Sequence, residues 1–143
     1  GYVPSPISDI DPRGLNRALR NALGMRTGNG MQAHHIIPKE LWKTSEFGHF
    51  FDDINLSSRA WRDHRSNGIG LPNKQATSRR LGLPWHCGSH PFYTQGVRSR
   101  LNPIRDQFNN GEISAAEARR QVSELQQTLR TGIRAMPGGM RIR

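Results

Sequence analysis

The sequence predicts a single α+β domain, mostly helical, and three observations carry that reading. The last third repeats apolar residues at spacings of three and four, the period of one helix face. Two short apolar stretches, Met31 to Ile37 and Gly68 to Leu71, are bounded by Gly, Asn and Pro, as hairpin strands are. At 143 residues the chain has room for one domain. Leu, Ile, Val and Phe supply only about a fifth of it, near the lower edge for a well-packed globule. So thin a core often needs a staple such as a bound metal, and that makes the six histidines worth placing.

Taken in order, residues 1–14 are rich in Pro, Asp and Ser and read as a linker from a longer chain. The domain proper is expected over residues 15–135. Leu15, Leu19, Ala22 and Leu23 share one face of a short helix that Gly24 is placed to end. Gly28-Asn29-Gly30 makes a turn, and the stretch from Met31 to Ile37 reads as a strand running into Pro38. Pro38 suits the first position of a helix reaching about Phe47. Asn55 is expected to cap another short helix ending at Arg62. Gly68 to Leu71, closed by Pro72, is the second strand of a hairpin with an enlarged loop. Val97, Leu101, Ile104 and Phe108 mark a helix that Pro103 is expected to kink or split. Asn110-Gly111 stops it, and Ser114-Ala115-Ala116-Glu117 is a capping box for the next. That last helix carries an apolar stripe of Ala118, Val122, Leu125, Leu129 and Ile133, read as core. Residues 136–143 read as a loose basic tail.

The charge is one-sided, with 21 basic residues against 11 acidic, a formal +10. Only Lys39, Lys43 and Lys74 are lysines, and the rest of the basic set is Arg. Arginine presents a planar fork that matches phosphate oxygens bidentately. A polyanionic partner follows, nucleic acid ahead of a membrane surface. Cys87 is the lone cysteine, so no disulfide can form within the chain. No apolar run approaches a membrane span, and no apolar signal segment stands at the start.

Three clusters carry chemistry. In Ala33-His34-His35-Ile36-Ile37-Pro38, adjacent strand residues point to opposite sides. At a strand end before Pro, one histidine can bind a metal while its neighbour faces a substrate beside it. In Asn67-Gly68-Ile69-Gly70-Leu71-Pro72, the Asn67 amide either makes a turn or holds a neighbouring imidazole in one tautomer. In His86-Cys87-Gly88-Ser89-His90-Pro91-Phe92-Tyr93, two histidines four apart can share one metal. Ser89 is expected to cap a helix starting near His90, which makes His90 the surer ligand, with Cys87 as a rival.

These three motifs, in this order, resemble the toxin nucleases named for a conserved Ala-His-His within the HNH and endonuclease VII superfamily. The resemblance covers roughly residues 15–110, and the layout is also similar to the colicin DNases. It implies a ββα-metal (His-Me finger) core with added helices, a hairpin and a helix clasping one divalent ion. By resemblance His34, His86 and His90 hold the metal, His35 is the general base, and Asn67 supports His35 or shapes the hairpin. About thirty residues separate the histidine pair from Asn67, more than a compact hairpin needs. Asn55, inside this insertion, competes with Asn67 for the supporting role. Asp63-His64, also inside it, imitates a ligand-base pair but lies too close to Asn67 for that pattern. Asp11-Pro12-Arg13-Gly14-Leu15 after Pro6 resembles the junction at which Rhs-type toxins release their tips.

The implied reaction is metal-dependent phosphodiester hydrolysis of DNA, with zinc, nickel, magnesium or manganese as the ion. Arg26, Arg79, Arg80 and Arg98, nearest the motifs in sequence, are the candidates to grip phosphate. An RNase of the same fold and a non-catalytic zinc-stabilised nucleic-acid binder are the alternatives. Cys87 would be the fourth ligand that closes a structural zinc site. The resemblance further implies a monomeric toxin tip, carried out of its cell by a larger protein. It would act in the cytoplasm of a target cell and be held in check by an acidic immunity protein.

Overall fold

In the computed structural model, which describes residues 16–26 and 28–143, a two-stranded hairpin sits among six helices. The linker expected over 1–14, and Leu15 ahead of the first helix, lie outside the described residues. Helix α1 (Arg17–Ala22) buries Leu19 and Arg20. The Arg20 guanidinium donates to the carbonyls of Arg26 and Met31, tying the helix to the strand that follows. Strands β1 (Met31–His35) and β2 (Gly68–Pro72) pair antiparallel, with His34 opposite Ile69 and His35 opposite Gly68. Gly68 leaves room for Leu19, because a Cβ there would stand 2.5 Å from Leu19 Cδ1.

The segment between the strands builds much of the core. A 3-10 helix over Lys39–Lys43 stops at Thr44, and a new helix, α2 (Ser45–Asp53), begins there with Thr44 as its cap. The single helix expected from Pro38 to Phe47 is therefore two pieces. The Thr44 hydroxyl accepts from the Phe47 amide, which ends one element and starts the next. Phe47, Phe50 and Phe51 bury one face of α2. Trp42 stacks on Phe51 at 4.4 Å and donates from its indole to the Leu56 carbonyl.

Asn55 ends α2 where the sequence suggested it would start a helix. It adopts φ 64, the left-handed geometry that Asn tolerates after a helix. Helix α3 (Arg59–Arg62) is capped by Ser58 instead. A 3-10 turn (Arg65–Asn67) then enters β2, and α4 (Gln75–Leu81) follows it, closed by Gly82 at φ 71.

The last two helices are α5 (Pro91–Asn109) and α6 (Ala115–Arg134). Pro103 does not split α5. Val97 and Leu101 before it and Ile104 after it are buried in one cluster with the α2 phenylalanines, and that shared packing outweighs the missing N–H. The N-cap of α5 is His90 rather than Ser89, with Pro91 in the first turn. Ser114 caps α6 by accepting from the Glu117 amide. Ala118, Val122, Leu125 and Ile133 are buried along α6, with Leu129 half-buried. The basic tail is not loose. Ile142 is buried beside Ile36, Ile69, Leu71 and Ile133, and Arg141 bridges Trp85. No helix among the described residues is long and apolar enough to cross a membrane.

Candidate metal centre and its catalytic pair

His34 and His35 close β1, and each has its own set of partners. His34 is fully buried and meets the rings of His86, His90 and Tyr93. His86 arrives on the loop after α4, whose course is set by the His86 amide donating to the Pro72 carbonyl at the end of β2. His90 stands at the first turn of α5. One ligand nitrogen from each of the three lies within 4.8 Å of the others. The hairpin and α5 thus supply the ββα frame around this triad.

The hydrogen bonds fix which nitrogens are available. His86 Nε2 lies 3.1 Å from the Gly88 carbonyl, an acceptor only, so Nε2 carries the proton and Nδ1 the lone pair. That Nδ1 faces His34 Nδ1 at 3.3 Å. His90 Nδ1 pairs with the Thr94 hydroxyl at 3.2 Å, leaving Nε2 to ligate. His34 Nε2 is a buried atom with no partner. Protonation is no remedy. Burial, together with the charges of His86, His90 and His35, holds His34 well below the usual imidazole range. His86 is lowered to about 4, first by burial and then by His90. Converging lone pairs on rings that resist protons match the needs of a divalent cation. Three neutral imidazoles suit zinc or nickel and leave further positions open. Tyr93 backs the triad, its ring against His34 and His90 and its hydroxyl donating to the Ile36 carbonyl.

Next to His34 on β1, His35 Nε2 lies 2.7 Å from Asp63 Oδ1. Burial raises the Asp63 pKa, but the bond and charge of His35, with Arg62 and Lys39, outweigh it, so the net shift is downward. Asp63 is therefore a carboxylate at neutral pH. It accepts the Nε2 proton and leaves the His35 Nδ1 lone pair free.

Asn67 does not perform that task. Its fully buried amide oxygen accepts from the Ile37 amide and from Gln126, and its NH2 donates to the carbonyls of Ile37 and Arg62. Every bond shapes the hairpin entry, and none reaches His35. Asn55 is exposed and takes no part. Cys87 is exposed and is not in the ligand group, so it does not close a fourth position. Arg98 pairs with Glu46 at 2.8 Å. Arg26, Arg79 and Arg80 are exposed. Lys39 and Arg62 are basic neighbours of Asp63 that the sequence did not mark. Asp63 itself was visible as an acid in an Arg-rich run, but only the fold brings it to His35.

The model of a nuclease family of the HNH/endonuclease VII superfamily, with a conserved Ala-His-His, matches residues 15–129. The chain belongs to this family. Searches of curated proteins and of solved structures gave no match. In this AHH nuclease the conserved tripeptide is Ala33-His34-His35, with one ring in the histidine triad and the other against Asp63. A nuclease acts on nucleic acid, and the chain carries an Arg surplus suited to a polyanion. The matched span ends before residues 130–143.

Proposed function

We propose that this AHH nuclease is a metal-dependent endonuclease that hydrolyses phosphodiester bonds in DNA. The observation that carries the reading is the triad of buried His34 and His86 with half-buried His90, together with His35, one residue along the strand and bonded to Asp63. His35 Nδ1 takes a proton from water as that water attacks phosphorus. Asp63 holds the ring in the required tautomer and steadies the imidazolium that forms. His34, His86 and His90 would hold the divalent ion. When bound, that ion polarises the phosphate and offsets charge on the leaving 3′ oxygen. Tyr93 and the buried hairpin keep the triad rigid and dry on its inner side.

DNA is the polymer proposed; the basic excess grips phosphates, contacts that carry no sequence information. Cleavage is expected to be largely independent of sequence. Digestion of plasmid DNA and total RNA, with Zn2+, Ni2+, Mg2+ or Mn2+ and with chelator, tests this. Plasmid cleavage that stops on chelation supports it. Cleavage of RNA alone transfers the substrate to the RNase reading, and activity indifferent to chelation overturns the mechanism.

The biological role proposed is a monomeric antibacterial toxin tip, released from a larger carrier and active in the target-cell cytoplasm. A nuclease with a formal charge of +10 endangers its producer, and an acidic immunity protein can be steered to it electrostatically. Association should be faster at low salt than at high. Association that ignores ionic strength would contradict that picture.

A further inference from the structure

We infer that residues 140–143 form a clasp that holds the metal ligands in place, a part of the site lying beyond the span shared with the family. The inference rests on the metal reading above. Two of the three proposed ligands stand on segments this clasp grips. The Trp85 amide donates to the Met140 carbonyl, and the Ile142 amide donates to the Trp85 carbonyl, both at 2.9 Å. These bonds make a short parallel bridge beside His86. One residue beyond His86, the Cys87 carbonyl accepts from Arg141 Nη2 at 2.7 Å. The same guanidinium lies over the Trp85 ring, 5.3 Å from its centroid. The loop is thus pinned on both sides of its histidine.

The clasp also reaches the helix of His90. The Tyr93 amide, in the first turn of α5, donates to the Arg143 carbonyl at 2.7 Å. That amide is one of the N-terminal donors that a helix cannot satisfy itself. Ile142, buried at 3% exposure among Ile36, Ile69 and Leu71, anchors the segment under the hairpin. Alternation explains the arrangement. Ile142 points inward while Arg141 turns toward the His86 loop, the two-residue period of an extended strand. Without the clasp, His86 would sit on a loop held mainly by its own amide bond to Pro72 and its ring bond to Gly88.

Groups that orient metal ligands from behind commonly change metal affinity by about 10- to 100-fold when removed. The test is calorimetric titration of Zn2+ into the full chain, a chain ending at Gly138, Ile142→Ala and Arg141→Ala. Ile104→Ala, a buried change in the other core cluster, is the control. Far-UV circular dichroism and melting of each metal-free protein are read alongside. The expected result is a loss of about tenfold or more in Zn2+ affinity for the shortened chain and for Ile142→Ala. Ile104→Ala should lower the melting temperature yet keep its affinity. If the shortened chain does not fold, the comparison of Ile142→Ala with Ile104→Ala decides. Equal Zn2+ affinity in Ile142→Ala and the full chain overturns the clasp. Failure of the full chain itself to bind Zn2+, Ni2+, Mg2+ or Mn2+ overturns the metal reading instead.

Discussion

Replacing Asp63 by Ala removes one interaction from the proposed mechanism, and its effect can be worked out from the structure. The bond to His35 is 2.7 Å long, and the two side chains are 7% and 15% exposed. A hydrogen bond to a charged group of this kind contributes roughly 1.5–3 kcal/mol. At about 1.4 kcal/mol per factor of ten, its loss in the transition state slows cleavage roughly 10- to 150-fold. Removing the base itself, in His35→Ala, should cost roughly 100- to 10,000-fold. The two losses should not multiply, because Asp63 acts only through the ring it holds. The assay is the initial rate of plasmid nicking at saturating metal for both single variants and the double, with Zn2+ titration of each. Metal affinity should stay near that of the parent in all three. Should Asp63→Ala nick at full rate, or slow the His35→Ala protein by the same factor as the parent, the reasoning fails.

Other outcomes follow from the same geometry. His34→Ala and His90→Ala should weaken metal binding, with cleavage partly restored at high metal, whereas His49→Ala and His64→Ala should cleave almost normally; parallel calorimetry and nicking check this. Asn67→Ala should lower stability by roughly 2–4 kcal/mol, because it strands buried partners at Ile37, Arg62 and Gln126. Urea unfolding reads that loss, and a value near zero would contradict the role given to the amide. Gly68→Ala should cost roughly 1–3 kcal/mol, since its Cβ would meet Leu19. Leu19→Ala in the same chain should make Gly68→Ala less costly, as thermal melts of the double variant would show.

The elements legible in the sequence were those whose signal is local. The hairpin strands announce themselves through short apolar runs between turn residues, and α6 through Ser114 and an unbroken stripe. The meeting of His34, His86 and His90 was legible because motif order stands in for distance. What escaped depends on partners remote in sequence. Asn55 serves helix starts and helix ends alike, and only the left-handed φ after α2 decides between them. Pro103 was read by its missing donor, while the apolar residues on both sides keep α5 whole. Asp63 reaches His35 only because the insertion folds back through Trp42, Phe51 and Trp61. The tail looked frayed because it is basic, although Met140-Arg141-Ile142-Arg143 alternates apolar and charged residues as an extended segment does.

The central claim is that three histidines hold one divalent ion for a neighbouring base. Its most direct test is the number of ions bound per chain, by equilibrium dialysis against Zn2+ followed by elemental analysis, for the parent and for His86→Ala. The account predicts one tightly held ion per parent chain and well under one in the variant. An unchanged count in His86→Ala, or no ion in the parent, would contradict it.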